Sequence, residues 1–296
     1  MEIPFRIVDV FTPRPLAGNQ LCVVPDPADL DHDEMLALAQ EIGFSETTFV
    51  TESGGDRYAM RIFTPDEELP FAGHPTLGTA FVMVSEGRVT SPATQVVPAG
   101  EIPVEVDVSS GEAWMTQLSP EFGPVFDDRG LLARATGLAV ADIHDDLPAL
   151  TVSTGLPTLI VPIRGLATLR RARIDQRFVA EACERSGGEQ LYLFALGPED
   201  DVTARFFGPT IGILEDPATG SAVGPLGAYL SEHGLAGMPG AVKVLQGEQV
   251  GRPSELHVEV AAEGDSWRVR VGGGVHVIGR GSFELERADL QSARGA

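Results

Sequence analysis

Two short motifs place reactive side chains where a helix is expected to begin. Gly73-His74-Pro75 precedes a run of apolar residues, and proline is favoured at the first helical position because its missing N–H would be unpaired there. Thr219-Gly220-Ser221 precedes a similar run. The unpaired N–H groups and the positive end of a helix attract anions. Each motif therefore predicts either an ordinary helix cap or part of a binding site for a small carboxylate.

A third reactive group is the carboxylate of Glu46, which follows a predicted helix and opens a predicted strand. Alternation along the strand places Thr48 and Val50 on the same face as Glu46. Thr47 and Phe49 lie on the other face. Glu46 is then either a solvated residue at a sheet edge or a buried acid. Burial raises the pKa of a carboxyl group, and an acid that titrates near neutral pH is a good proton shuttle.

The remaining histidines, cysteines and glycines give weaker signals. No other histidine lies two or four residues from a histidine or cysteine, so no metal site is predicted. Cys22 lies in an apolar strand and is expected to be a small core residue. Gly272-Gly273-Gly274 is followed by no helix signal, so it is not a dinucleotide fingerprint. The segment 246–254 either binds a carboxylate through Arg252 and Ser254 or is a plain hairpin connection.

Composition limits the function classes. The chain has 296 residues, with 21 Lys and Arg against 43 Asp and Glu, and a formal net charge of -22. Nucleic acids and anionic membranes need basic clusters, so neither is an expected partner. A hydrophobic content of 43% supports a substantial core. No apolar run approaches the ~20 residues of a membrane span, and the first residues lack a secretory signal pattern. A reduced, cytoplasmic protein is expected.

The strand and helix signals follow one order in both halves of the chain: strand, strand, helix, strand, strand, helix, then further strands. This order is typical of an α+β protein. The predicted helices span residues 31–43, 75–86, 127–136, 176–185 and 219–233. The predicted strands span residues 3–10, 20–25, 47–51, 58–63, 94–98, 101–108, 112–118, 149–153, 157–163, 190–196, 202–207, 241–246, 254–261, 266–272 and 275–284.

The two halves also share spacing, which predicts a duplicated domain. Phe63-Thr64-Pro65 and Phe207-Gly208-Pro209 are 144 residues apart, and each precedes one of the two helix-start motifs. The same offset relates Glu46 to Gln190. We expect domains over residues 1–122 and 123–296, and leave open whether the last strand crosses back to the first. In each domain a curved, mixed or antiparallel sheet would wrap around an apolar helix in a barrel-like manner.

Five motifs spread over nearly the whole chain resemble those of the PhzF-like isomerase family of phenazine biosynthesis. Glu-Asp-Pro-Ala-Thr-Gly-Ser-Ala at residues 215–222 is the most specific. The others are Val8-Asp9-Val10-Phe11 with Gly18-Asn19, Phe44-Ser45-Glu46-Thr47, Phe63-Thr64-Pro65 with Gly73-His74-Pro75-Thr76, and Gln246-Gly247 with Gly251-Arg252-Pro253-Ser254. The family often has proline where this chain has Gln20, a departure that we expect to affect only a turn.

The resemblance implies a diaminopimelate-epimerase-like fold, with two similar domains and an active site between them. The catalytic residues that it implies are Glu46, His74, Asp216 and Ser221. Glu46 would move the proton, and the other three would position the substrate and tune protonation. The substrate-binding residues are Asn19, Gly73, Thr219 and Gly220. The two glycines would offer backbone N–H groups to a carboxylate.

The resulting prediction is a cofactor-independent isomerase that transfers a proton on a small, carboxylate-bearing substrate in the cleft between the domains. A homodimer is a family-level expectation. Two alternatives stay open. An amino-acid epimerase or racemase of the same fold would use two thiols, and neither helix-start motif contains one. A non-catalytic protein that binds small acids would need no proton shuttle.

Overall fold

The computed structural model describes residues 1–27, 29–197, 201–209 and 212–286. The protein has a mixed α+β architecture that is rich in sheet. Its helices are α1 His32–Ile42, α2 Gly73–Ser85, α3 Arg129–Thr136, α4 Leu166–Arg171, α5 Gln176–Ser186 and α6 Gly220–Glu232. Its strands are β1 Glu2–Val10, β2 Asn19–Val24, β3 Thr47–Gly54, β4 Arg57–Phe63, β5 Glu68–Leu69, β6 Ala93–Val97, β7 Gly100–Asp107, β8 Glu112–Thr116, β9 Glu121–Val125, β10 Leu150–Ser153, β11 Pro157–Pro162, β12 Gln190–Leu196, β13 Val202–Gly208, β14 Ile213–Asp216, β15 Gly240–Gln246, β16 Ser254–Glu263 and β17 Ser266–Glu284.

The chain divides into two compact units. Unit 1 contains Met1–Met115 and the chain from Gly272 onward, and unit 2 contains Thr116–Val271. Strand β17 therefore begins in unit 2 and continues into unit 1. Among the described residues, no helix combines the length and the apolar character needed to cross a membrane.

In unit 1 the strand pairings run in a ring. Strand β1 pairs with β2, β2 with β3, β3 with β4, β4 with β6, β6 with β7 and β7 with β8. Strand β17 pairs with both β8 and β1. Helix α2 is buried from Gly73 to Met83 and packs against β1, β2, β3, β6 and β7. A helix with no polar face requires this kind of enclosure.

The opposite face of the unit 1 sheet packs against α1. This helix begins at the N-cap Asp31, with a capping box formed with Glu34, and ends at Gly43 in the left-handed conformation, as the sequence predicts. Its apolar side contributes Met35, Leu38 and Ala39 to a buried cluster that also holds Cys22, Val24 and Phe49. The expected core position of Cys22 is confirmed.

Unit 2 repeats the strand pairings of unit 1. Strand β10 pairs antiparallel with β11, β11 parallel with β12, β12 antiparallel with β13, β13 parallel with β15, and β15 antiparallel with β16. Helix α6 is buried from Gly220 to Ser231 and packs against β10, β11, β15 and β16. Helices α3 and α5 cover the other face of the sheet through a second apolar cluster.

Even the register is shared between the units. In unit 1, Thr47 on β3 lies opposite Phe63 on β4. In unit 2, Leu191 on β12 lies opposite Phe207 on β13. Both residues of the first pair are 144 positions before those of the second, which is the offset seen in the sequence motifs. The spacing therefore corresponds to equivalent pairings in the two sheets.

One strand prediction is wrong, and four elements (β5, β9, α4 and β14) were not predicted. The strands expected over 266–272 and 275–284 are one strand, β17, because the intervening glycines serve close packing and not a turn. A Cβ at Gly272 would lie 2.2 Å from the Trp114 ring, and one at Gly274 would lie 2.2 Å from the Thr12 carbonyl oxygen. Strand β9, which pairs with β10, was not predicted because its Gly123-Pro124 resembles a linker.

Candidate active site

The Glu46 side chain is buried on the α2 face of the unit 1 sheet. Gly43 ends α1, and Glu46 comes immediately before β3. Two residues along, the Thr48 hydroxyl lies 2.8 Å from the Thr79 hydroxyl of α2, whereas Phe49 packs in the cluster beside α1. The predicted alternation is confirmed. Glu46 is 7% exposed, so it is not a solvated residue at a sheet edge.

Glu46 faces His74. Oε2 of Glu46 lies 3.4 Å from Nε2 of His74, and the two side chains are 9% and 5% exposed. Burial raises the pKa of Glu46 to about 7, and a side-chain hydrogen bond with Ser45 opposes part of that rise. A carboxyl group with this pKa exchanges protons readily near neutral pH.

Asn19 fixes the orientation of the His74 ring. Nδ2 of Asn19 lies 3.2 Å from Nδ1 of His74, and Oδ1 of Asn19 lies 3.5 Å from the Ser45 hydroxyl. With the amide N–H donating to Nδ1, the hydrogen of the neutral imidazole is on Nε2, the nitrogen that faces Glu46. The preceding residue, Gly18, allows the chain to place Asn19 here. Gly18 has φ +72, and a Cβ at this position would lie 2.3 Å from the Val10 carbonyl oxygen.

His74 lies in the first turn of α2 and not at its N-cap. The N-cap is Ala72, and no side chain caps the helix. Pro75 is therefore the third helical residue and not the first, a position that it tolerates because the first N–H groups of a helix have no partner within the helix. Gly73 and His74 are both buried.

The second helix-start motif lies beside a buried carboxylate. Asp216 ends β14 and is 5% exposed. Thr219 is the N-cap residue of α6, but its side chain does not cap the helix. Its hydroxyl instead donates to Oδ2 of Asp216 at 2.5 Å. Gly220 and Ser221 follow as the first buried residues of α6.

Gln246 and Tyr192 support this second group, although neither was predicted as a site residue. Nε2 of Gln246 lies 2.8 Å from the Asp216 carbonyl oxygen and 3.0 Å from the Thr219 hydroxyl. The Tyr192 hydroxyl donates to Oε1 of Gln246 at 2.7 Å. The Gln246-Gly247 motif was the available signal. A Cβ at Gly247, which has φ +82, would lie 2.5 Å from the Pro217 carbonyl oxygen.

The predicted site residues form two groups, each within one unit. The first group contains Asn19, Glu46, Gly73 and His74 of unit 1. The second contains Asp216, Thr219, Gly220 and Ser221 of unit 2. The segment 246–254 is a hairpin connection between β15 and β16, with Gln246 opposite Ser254.

The two thiols are buried in the apolar clusters beside α1 and α5. Burial raises the pKa of both Cys22 and Cys183 to about 12, and a thiol with so high a pKa is a poor nucleophile or base near neutral pH.

One group of described residues has metal-ligand spacing: His144, Asp145 and Asp146, with their ligand atoms within 4.8 Å of one another. It includes no predicted site residue, and Asp145 is paired with Arg164.

A family model described as "phenazine biosynthesis-like protein" matches residues 8–280. The chain belongs to the PhzC/PhzF family. The resemblance inferred from the five motifs is confirmed, and the match extends from the strand before Asn19 to the strand that closes unit 1.

Named relatives of this PhzF-family protein are isomerases. An uncharacterized isomerase of Bacillus subtilis is 32% identical, with 90% of this chain and 93% of the relative covered. The trans-2,3-dihydro-3-hydroxyanthranilate isomerase of Pseudomonas chlororaphis is 34% identical, with 95% and 99% covered. The structure of a predicted epimerase from Pseudomonas aeruginosa has a TM-score of 0.84 at 36% identity, with 96% and 100% covered. The protein is an isomerase of the PhzF family, related to epimerases.

Proposed function

We propose that this protein is a cofactor-independent isomerase in which Glu46 carries a proton between two positions of a small carboxylic acid. The observation that carries the proposal is the buried Glu46 carboxyl group, which has a pKa of about 7 and lies 3.4 Å from Nε2 of His74. General acid–base catalysis works best when the pKa of the catalytic group is close to the working pH.

The reaction is balanced because Glu46 returns one proton for each proton that it takes, and its carboxyl group exchanges with solvent between the two steps. The Glu46 carboxylate takes a proton from a carbon next to a carboxylate or carbonyl group, so a C–H bond breaks and an O–H bond forms on Glu46. The electron pair left behind spreads over the conjugated acid. Glu46 then returns the proton to another carbon. His74, whose ring is oriented by Asn19 and whose Nε2 lies 3.4 Å from Oε2 of Glu46, stabilises the carboxylate electrostatically before the transfer.

We further propose that unit 2 completes the site. In this arrangement the sheets curve around central helices, as in the diaminopimelate-epimerase-like fold, and the substrate lies in a cleft between the two units. Its carboxylate binds the N–H groups of Gly73 and Gly220 at the starts of α2 and α6. Asp216 and Ser221 orient the reacting end. The support is that each unit offers a buried helix start with no side-chain cap.

Substrate class, assembly and location are part of the same proposal. The acid named for the Pseudomonas chlororaphis relative, trans-2,3-dihydro-3-hydroxyanthranilate, is the first compound to test, followed by other small unsaturated acids.

We propose that the enzyme is a cytoplasmic homodimer. Light scattering after size exclusion should then give twice the 31.4 kDa chain mass, and a monomer mass would reject the dimer.

The test of the reaction is solvent deuterium uptake. The enzyme is incubated in D2O with trans-2,3-dihydro-3-hydroxyanthranilate and a panel of small acids, and deuterium at carbon is followed by NMR. Glu46→Gln should lower the exchange rate by about 10²–10⁴-fold while the protein stays folded. The control is Glu52→Gln, because Glu52 is an exposed acid on the following strand, and it should exchange at the wild-type rate.

Three results would reject parts of the proposal. Exchange at the wild-type rate in Glu46→Gln would remove Glu46 as the proton carrier. Binding of an acid with no exchange across the panel would instead favour a non-catalytic binding protein. Loss of exchange after thiol alkylation would favour a racemase of the two-thiol type. Wild-type kinetics in both Asp216→Asn and Ser221→Ala would exclude unit 2 from the site.

A further inference from the structure

The Thr219 hydroxyl is directed toward Asp216 and away from the helix that Thr219 begins. It donates to Oδ2 of Asp216 at 2.5 Å and makes no side-chain cap for α6. Both residues are buried, at 8% and 5% exposure. A hydroxyl has one hydrogen to donate. The Thr219 hydrogen is therefore not available to a bound substrate while Asp216 accepts it.

The direction of this hydrogen bond is set by Gln246. The carbonyl oxygen of Asp216 only accepts, so the amide group that lies 2.8 Å from it must present its NH2 group. The second amide hydrogen then points to the Thr219 hydroxyl at 3.0 Å. Since Thr219 accepts this hydrogen, its own hydrogen goes to Asp216.

Tyr192 holds Gln246 from the other end. With the amide NH2 group facing Asp216 and Thr219, Oε1 of Gln246 accepts from the Tyr192 hydroxyl at 2.7 Å. Tyr192 is fully buried and Gln246 is 3% exposed. All four residues lie within unit 2, and the hydrogen bonds donated by Tyr192, Gln246 and Thr219 run in one direction, toward the Asp216 carboxylate.

We propose that Tyr192, Gln246 and Thr219 are positioning residues, a directed relay that holds Asp216 in place as an ionised hydrogen-bond acceptor. This rests on the proposed role of Asp216 and changes the role of Thr219 from substrate binding to support. A hydrogen bond donated to a carboxylate stabilises its charged form, and a fixed orientation avoids misplacement of the reacting groups.

Arg205 does not take the place of the relay. Arg205 and Glu215 are the charged neighbours of Asp216 along β13 and β14, and they form a two-point ion pair with distances of 2.9 and 2.8 Å. Arg205 also donates to the carbonyl oxygens of Leu169 and Ala172. These partners occupy its guanidinium group, which donates to none of the Asp216 oxygens.

Unit 1 contains a matched chain that supports no carboxylate. The Tyr58 hydroxyl donates to Oε1 of Gln95 at 2.8 Å, and Nε2 of Gln95 donates to the Thr76 hydroxyl at 2.9 Å. Thr76 then donates to the carbonyl oxygen of Ala72. Tyr58 and Tyr192 are both at least 99% buried, so Tyr58→Phe removes the same group from a similar setting and is the control.

The first arm of the test is kinetic, with trans-2,3-dihydro-3-hydroxyanthranilate as the probe. Thr219→Val, which keeps the size of the side chain and removes the hydroxyl, should lower kcat by about 10–100-fold with little change in KM. Thr219→Ser restores the hydroxyl and should recover kcat to within about threefold. Tyr192→Phe should lower kcat by roughly threefold to tenfold, more than Tyr58→Phe does at equal loss of thermal stability.

The second arm needs no substrate. The 13C NMR signal of the Asp216 carboxyl group is followed against pH in the wild type and in the same variants. Thr219→Val should move the Asp216 titration to higher pH, since the charged form loses a donor, while Thr219→Ser and Tyr58→Phe should leave it in place. If the wild type does not turn over the probe, the proposed substrate fails, and this arm alone decides the relay.

Two outcomes would overturn the relay. One is an Asp216 titration that is the same in Thr219→Val and in the wild type. The other is a Thr219→Val variant in which KM rises and kcat is unchanged, because Thr219 would then bind the substrate directly.

Discussion

Glu46 and Gln190 occupy equivalent places in the two units, and only one of them titrates. They are 144 residues apart, and each comes at the start of the strand that pairs in parallel with β2 in unit 1 or with β11 in unit 2. Glu46 is a buried acid with a pKa of about 7. Gln190 is 2% exposed, and its Nε2 donates to the Thr158 hydroxyl at 2.6 Å. The repeated scaffold therefore supports an acid in one unit and a neutral, hydrogen-bonded amide in the other.

The two buried helices show a similar difference. Each starts next to a buried tyrosine–glutamine–threonine chain, but the chain in unit 1 ends on the carbonyl oxygen of Ala72 and the one in unit 2 ends on Asp216. The candidate carboxylate of unit 1, Glu46, lies just before strand β3. The candidate carboxylate of unit 2, Asp216, lies shortly before helix α6. Equivalent folds carry different chemistry because a few polar residues differ, which is expected when function resides in side chains and not in the fold.

The largest effect is expected from giving unit 2 an acid at the position equivalent to Glu46. Gln190→Glu places a carboxyl group in a buried position with no charged partner among the described residues. At pH 8 it should lower the free energy of unfolding by about 3–5 kcal/mol. At pH 4 the group is largely protonated, and the loss should be clearly smaller. Urea unfolding at the two pH values measures this, and an equal loss at both would contradict the idea that the site excludes charge.

The reverse change should stabilise the protein. The folded-state pKa of Glu46 is about 7 against an ordinary value of 4.5, so wild-type stability falls as the pH rises from about 4.5 to about 7 and is flat above that range. The amide of the Glu46→Gln variant does not ionise. This variant should therefore raise the free energy of unfolding by up to about 3 kcal/mol at pH 8 and change it little at pH 4. Urea unfolding measures the difference, with Glu52→Gln as the control, and a pH-independent difference would contradict the assigned burial effect.

A smaller effect is expected from the contact that orients His74. Asn19→Leu keeps much of the side-chain volume but removes the donor to Nδ1, so the imidazole loses the bond that places its hydrogen on Nε2. We expect kcat to fall by about tenfold. The 15N NMR signals of His74 should change from one tautomer to a mixture. A single Nε2–H tautomer in the variant would show that Asn19 does not set it.

Local patterns in the sequence predicted the elements well. Asp31 and Gly43 bound α1 because a capping acid and a left-handed glycine act within a few residues. The face of Glu46 followed from alternation on β3. The continuity of β17 was missed because the packing of Gly272 against Trp114 involves residues far apart in the chain.

The motifs named candidate site residues but not the hydrogen bonds that connect them. Motifs identified Glu46 and His74, yet the bond between Asn19 and His74 joins residues 55 positions apart. Thr219 looked like a helix cap, since a threonine at that place usually bonds to the helix N–H groups. The structure directs its hydroxyl to Asp216 because Gln246, from another strand, donates to it. Such directions depend on the folded arrangement and not on spacing.

The most direct test of the account is the titration of the Glu46 carboxyl group, followed by 13C NMR and compared with the pH profile of kcat/KM for deuterium exchange. The account predicts a midpoint near pH 7, and a rise of kcat/KM with pH through the same value, because the ionised form takes the proton. A Glu46 midpoint near that of an exposed glutamate, or a kcat/KM profile that does not change around the midpoint, would contradict it.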